Sequence, residues 1–419
     1  MAQELDWKFG QVFGDKTEVE DVADVDIVSA IEFDLSGDFL AAGDRGGRVV
    51  LFEREISKDK GTHFKFFYEF QSHEPEFDYL KSLEIEEKIN KIRWFPRRWA
   101  QSHQLLTTND KTIKLWKVSE KQMNYVDRDS IPGALSVPKV TDSQNLLFSS
   151  AKKVYGNAHA YHINSVGLNC DGETFLSADD LRVNIWNLDN NVQSFNIVDI
   201  KPPNMEELTE VITAAEFHPS HCHLMMYSTS KGTIKLNDLR ESALCDTSGM
   251  AFEQGEDPDS RSFFSEIISS VSDIKFIQNG ELILSRDYLT LKIWDVKMND
   301  KPLQTIDIHD YLRPKLCDLY ENDCIFDKFE CHASGDGNHL ITGSYQNYFN
   351  IYNRTTGSGT SIEALKAIRT AKKVSTKENE LINPDLLDYN KKCLHVSWNP
   401  AIDVVAIAAS NNLYLYNAV

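Results

Sequence analysis

"TFLSADDLRVNIW", residues 174–186, reads as two short strands around a tight turn. Apolar Val183 and Ile185 alternate toward Trp186, Phe175 and Leu176 form a short apolar strand before them, and the small and polar run Ser177-Ala178-Asp179-Asp180 supplies the turn. Strand, turn and strand make a hairpin, a period-two pattern that no helix shares. The second strand closes on Trp186. Working outward, the same ending recurs as "RVVLF" at Phe52, "TIKLW" at Trp116, "TIKLN" at Asn237, "LKIW" at Trp294, "FNIY" at Tyr352 and "LYLY" at Tyr416. Each copy follows its own polar turn: "AAGDRGG", "TTNDK", "STSKG", "SRDYL", "TGSYQ" and "AASNN". Upstream of each hairpin lies a third alternating strand, in order "IVSAIEF", "INKIRW", "INSVGL", "ITAAEF", "VSDIKF", "FDKFEC" and "LHVSW".

Seven repeats at separations of 51 to 70 residues between the closing positions leave room beyond the roughly 40–45 residues of a WD-repeat blade. The surplus is assigned to long connections. The pattern predicts an all-β chain, a seven-bladed β-propeller of four-stranded antiparallel blades, spanning residues 1–419 as one domain. The seventh repeat reaches only its third strand before Val419, so "LDWKFGQVFG" (Leu5–Gly14) is expected to supply the fourth and close the ring. The WD-repeat likeness is partial: only Trp294-Asp295 forms the literal dipeptide, and the repeat's Gly-His start is read as missing.

Net charge −20 disfavours nucleic-acid phosphates and anionic membranes as partners and favours a basic protein. No apolar stretch approaches the roughly 18–20 residues of a membrane span, and "MAQELDWKFG" has no signal-peptide character, so an intracellular location is expected. Seven cysteines without CxxC spacing are expected to be reduced, with Cys317, Cys324 and Cys331 buried.

In a propeller, the loop leading into each blade and the turn between its second and third strands emerge on one face. The pooled loops "EVEDVADVD", "EIEEK", "NMEELTE" and "YENDCIFDK" are acidic, and the turns add Asp44, Asp179, Asp180 and Asp287. Arg45, Lys88 and Lys328 are interspersed, with Tyr161, Leu208, Val211, Phe263 and Phe264 as apolar neighbours. An acidic face edged by hydrophobes suits a basic, partly apolar polypeptide. Read as a strand, "RSFFSEIISS" exposes at least one of Phe263 and Phe264. Asp110 and Asp180, each six residues before a closing tryptophan, are candidates for capping their own turn amides, and Asp180 is equally a candidate for binding a partner. "FHPSHCHL", read as linking two outer strands, lacks a second ligand group at zinc-like spacing. No nucleophile elbow, phosphate loop or carboxylate pair is present, so neither an enzyme nor a cofactor site is expected.

"EFDYLKSLEIEEKINKIRW" (Glu76–Trp94) and "NAHAYHINSVGLNCDGETFLSADDLRVNIW" (Asn157–Trp186) resemble fingerprints of the B-type (PR-fifty-five class) regulatory subunits of protein phosphatase 2A. Further stretches resembling that family are "SFNIVDIKPPNMEELTEVITAAEFHP", "EDPDSRSFFSEIISSVSDIKF" and "LCDLYENDCIFDKFE". The resemblance implies a non-catalytic propeller that binds the phosphatase's scaffold (A) and catalytic (C) subunits. Located in cytoplasm and nucleus, it would recruit phosphoprotein substrates with basic flanking residues. It implies substrate contacts at Asp24, Arg45, Lys88, Tyr161, His162, Asp180, Glu206, Leu208, Val211, Phe263, Phe264, Asp323 and Lys328. Arg45 stands where the family usually has lysine, and Asp24 where it has glutamate. A scaffold-gripping hairpin arm is expected within about residues 119–150, shorter than in relatives. The apolar side chains of Glu76–Trp94 are then partner contacts, with Lys81 and Glu84 assigned to that interface. The alternative is a free-standing WD-repeat adaptor for another basic ligand.

Overall fold

In a computed structural model the described residues are 5–14, 22–57, 61–79, 82–96, 102–126, 140–246, 249–255, 262–364 and 387–419. They form seven four-stranded antiparallel sheets. Taking strands a to d from the axis outward, blade one runs Val28–Phe33, Phe39–Asp44, Arg48–Ser57 and Gly61–Gln71. Blades two to six begin at Lys91, Ser165, Ile212, Asp273 and Cys331 and end at Tyr155, Asp199, Phe252, Asp307 and Glu363. Blade seven consists of Val396–Trp398, Val404–Ala409 and Asn412–Ala418, and its d strand is Trp7–Phe13. The expected N-terminal closure is therefore present. Trp7 is buried edge-on against Trp398 at 5.2 Å.

The opening stretch pairs as the sequence requires: Phe175 faces Trp186 and Leu176 faces Ile185 across strands b and c of blade three. Because successive side chains of the inner strands point to opposite faces and are buried and mostly apolar, as in Phe39–Asp44 and Val404–Ala409, each sheet is buried on two sides and the core is divided into seven inter-blade clusters. Blades one and two, for instance, share Ala41, Val49, Leu51, Ile92, Trp94 and Leu105. An eighth cluster lies off the blades. Two short helices, Ser265–Ser269 and Leu316–Glu321, pack with Tyr288, Leu312, Ile325, Phe329 and Tyr345 over blades five to seven.

That cap corrects two sequence expectations. Ser262-Phe263-Phe264 leads into a helix, so Phe263 (72% exposed) and half-buried Phe264 diverge at a helix start, not across a strand. "FDKFEC" is mostly loop: Cys324–Phe326 is a helical turn and strand a of blade six begins only at Cys331. Two further corrections concern side chains read for chemistry. "HPSHCH" joins strands a and b of blade four, not two outer strands, and His218 Nδ1 accepts the Ser220 and His221 amides. Cys317 is exposed, whereas Cys324 and Cys331 are buried.

The axis is filled by charge. Arg93 bonds Glu32 at 2.6 Å, Lys91 and His395 both engage Glu330, and Lys275 lies 3.5 Å from Asp273. The space left between them is about 10 Å³, room for roughly one water molecule.

Candidate functional site

Six of the seven lead-in loops are tied to the b–c turn of the blade before them, all but the one leading into blade six. The amides of Val28, Ile89, Ile163, Ile212, Val271 and Cys393 donate to the carbonyls of Ser410, Asp44, Asp110, Asp180, Thr229 and Ser344. These six backbone bonds stitch loops and turns into one continuous face. Four of the turns are themselves locked, each by one side-chain acceptor. Asp44 Oδ1 accepts the Arg48 amide, Asn109 those of Lys111 and Thr112, Asp179 those of Leu181 and Arg182, and Asp287 those of Leu289 and Thr290. In the first of these turns Gly47 adopts φ +79°, and a Cβ there would lie 2.3 Å from the His73 carbonyl.

The capping acceptors are thus Asn109 and Asp179, one residue earlier than the Asp110 and Asp180 singled out in the sequence. Asp179 is buried, and His159 Nδ1 donates to it at 2.9 Å; His159 Nε2 meets Ser177 Oγ at 2.6 Å, and Trp186 Nε1 donates to the same oxygen at 2.8 Å. Burial pushes the Asp179 carboxyl up, but the His159 bond and the turn amides hold it below the usual carboxylate range. The histidine of the repeat is therefore retained, as His159, with Ala158 in place of glycine. His73 and His309 occupy lead-in loops in the same way, both buried, with His309 Nε2 on Ser344 Oγ at 2.8 Å. In these three lead-in loops the histidine stands without a glycine before it.

Asp180 is released for other use. Its side chain accepts no hydrogen bond among the described residues, and burial raises its carboxyl above the ordinary range against the opposing fields of Lys328, His162 and Lys111. Asp180 belongs to a turn of blade three and Lys328 to the loop leading into blade six, so this electrostatic contact reaches across the axis. Along the rim, Arg45 bonds exposed Asp24 at 2.5 Å, and His162 Nδ1 lies 3.7 Å from Asp110 with Tyr161 beside it in sequence. Burial and Arg45 lower the Lys88 ammonium, while Asp110, Glu86 and Asp24 oppose that shift. Glu206 is exposed on a helical turn, Met205–Glu207, that Asn204 caps, and Leu208 follows half-buried.

Val211 and Lys328 line a cavity of about 330 Å³ with Val271, Ile267, Ile325 and Phe326. Its lining also includes Tyr288, whose hydroxyl meets that of Tyr345 at 2.9 Å, and Asp327, which Tyr345 and Lys392 both engage. Phe263, Phe264 and Tyr320 form a ring cluster with centroids 5.2–6.0 Å apart beside it. Asp323, exposed and left-handed at φ 57°, turns the chain between the cap helix and Cys324–Phe326. Sequence reasoning passed over Tyr320, Phe326 and Asp327. Phe326 and Asp327 fall where the acidic loop "YENDCIFDK" overlaps "FDKFEC", the segment the sequence assigns to a strand.

The stretch Glu76–Ile85 forms its own two-stranded hairpin, Glu76–Asp78 with Leu83–Ile85, between blades one and two. Tyr79 (85% exposed) sits with Phe77 at 5.0 Å, and Leu83 and Glu84 are also exposed. Lys81 lies outside the described residues.

These features define a WD-repeat-type propeller whose lead-in loops elaborate one face. A WD domain, G-beta repeat model matches residues 150–187, the segment holding the His159–Asp179–Trp186 network. The chain is also similar in fold to a crystal structure of Chaetomium thermophilum Raptor (TM-score 0.61, 12% identity), covering 99% of this chain and 30% of that one. Relatives in sequence are far closer. A B-type regulatory subunit of protein phosphatase PP2A from Schizosaccharomyces pombe is 56% identical over 453 residues, 98% of this chain and 97% of the relative. A Dictyostelium discoideum serine/threonine-protein phosphatase 2A regulatory subunit is 50% identical over 482 residues, 100% of this chain and 99% of the relative. The chain belongs to the family of B-type regulatory subunits of protein phosphatase 2A, and its role in that complex is regulatory, not catalytic.

Proposed function

We propose that this protein joins the phosphatase 2A scaffold (A) and catalytic (C) subunits and captures phosphoproteins whose phosphosites are flanked by basic residues. The observation that carries the reading is the convergence on one face of Asp180 and Lys328 across the axis, exposed Glu206 and Asp323, and the apolar cavity beside Val211. Acidic groups steer and register a basic segment, while the cavity and the Phe263 cluster take its apolar side chains. Asp24, Arg45, Lys88, Tyr161, His162, Leu208 and Phe264 complete the surface. The projecting hairpin of blade two grips the scaffold, and the Glu76–Ile85 hairpin, with Lys81 and Glu84, meets the catalytic subunit. Such a regulator works in cytoplasm and nucleus and binds neither nucleic acid nor membrane; among the described residues no helix is long and apolar enough to cross one. The test is Asp180→Lys with Glu206→Lys. Capture of a basic phosphopeptide falls steeply while heterotrimer assembly persists; lost assembly with retained capture refutes the assignment.

A further inference from the structure

In blade two, strand c (Ile113–Val126) outruns strand b: its last partner there is His103, opposite Val118. Beyond that point residues 119–126 pair only with strand d (Val140–Tyr155), as a ribbon about 26 Å long at roughly 3.3 Å per residue. An isolated two-stranded ribbon is marginal in water, so its direction has to be fixed at the root. Val118 is also where strand d presents Ser149, its cross-strand partner. There the outermost strand of blade one reaches over. The Ser149 amide donates to the Tyr68 hydroxyl at 3.2 Å, and that hydroxyl lies 3.4 Å from Ser149 Oγ. Leu147 packs into the cluster shared by blades one and two, and both Phe67 and Tyr68 join it because a bulge offsets the pairing between Leu51–Tyr68 and Phe52–Phe66. The Tyr68 ring is held in turn, stacked on Phe70 at 6.2 Å, which meets Trp116 at 4.6 Å.

We propose that Tyr68 is a positioning residue for the arm: by clamping Ser149 where the ribbon leaves blade two, blade one sets the angle at which the arm meets the phosphatase scaffold. The inference rests on the reading that the arm grips the scaffold. A hydroxyl's hydrogen bonding is worth about a five-fold change in an equilibrium, so Tyr68→Phe in the full chain weakens binding of the purified scaffold by roughly that factor. Amide exchange quickens at residues 119–126 and 143–149 and stays unchanged in the other blades. Capture of a basic phosphopeptide is unaffected. Ser149→Ala weakens scaffold binding in the same direction and adds nothing to Tyr68→Phe, as a shared contact requires. Unchanged affinity and unchanged exchange in Tyr68→Phe overturn the clamp. Replacing residues 119–148 by a short turn separates the two ideas: if scaffold binding survives, the arm reading fails, whereas exchange in Tyr68→Phe still decides the clamp.

Discussion

Asp179 and Asp180 are neighbours with opposite assignments, so truncating each to alanine tests the site reading sharply. Asp179 accepts the Leu181 and Arg182 amides, both at 2.8 Å, and a 2.9 Å bond from His159. Removing it strands two turn donors and a buried imidazole, at a cost of roughly 3–5 kcal/mol, the range for breaking a buried hydrogen-bonded charge network. Asp180 accepts none of the turn amides, and burial raises its carboxyl. A carboxylate with a raised folded pKa subtracts stability at every pH above its unfolded value, so Asp180→Ala is neutral or slightly stabilising at pH 7, within about 0.5 kcal/mol. Its binding effect is the reverse. A half-buried pair with a ligand's lysine or arginine falls between exposed and desolvated ion pairs, roughly 1–2 kcal/mol, or about 5- to 30-fold in Kd. Urea unfolding reads the first quantity, and fluorescence anisotropy with a lysine-flanked phosphoserine peptide reads the second. If Asp180→Ala loses several kcal/mol of stability, or keeps wild-type affinity while folded, the division of labour between the two aspartates is wrong.

Glu330 gives a pH prediction: burial pushes its carboxyl up, but Lys91 and His395 hold it well below the usual range. The stability it contributes is present above its unfolded pKa, about 4.3, and is lost as pH falls through the lower folded value. Glu330→Gln should therefore lower the urea midpoint at pH 7, with the gap to wild type narrowing in acid. Trp7→Ala, which empties the Trp398 contact at the ring closure, should cost about 3–5 kcal/mol in the same assay. Phe263→Ala should shift stability by no more than about 0.5 kcal/mol, since the ring is largely exposed, yet weaken peptide capture severalfold.

The blades were legible because their signal is local and repeated: apolar Phe175 and Leu176, a polar turn and alternating Val183 and Ile185 fall within a dozen residues, and six other hairpins agree. Even Asn237, in the place of an aromatic, is 1% exposed at the end of its strand. The cap was not legible, because helices of five and six residues are too short to display a 3.6-residue period. In "FDKFEC", Phe329 does not alternate with a strand partner but wedges against His309 and Tyr345, both at 5.2 Å. The one-residue error over the turn acceptors has a different origin. Spacing to the closing tryptophan cannot tell Asp179 from Asp180, since both can reach local amides, and only the fold brings His159 from the lead-in loop to one of them.

Net charge alone does not make the proposed face selective, because much of its acid is already matched. Arg45 engages Asp24, Arg48 spans Asp26 and Asp44, Lys292 is 2.8 Å from Asp287, and Lys392 engages Asp327. Among the described residues Glu84, Glu206 and Asp323 carry no ion pair. They stand on the loops between blades one and two, three and four, and five and six, so they are spread around the rim and not concentrated in one groove. Exposed and separated charges of this kind act mainly on encounter, and salt screens them with a Debye length of about 8–10 Å. Asp180 is half-buried and within the field of Lys328, so a competing cation from a ligand gains more there and is screened less. Raising salt should accordingly slow association through the rim acids, whereas truncating Asp180 should chiefly speed dissociation, a distinction that stopped-flow kinetics can read.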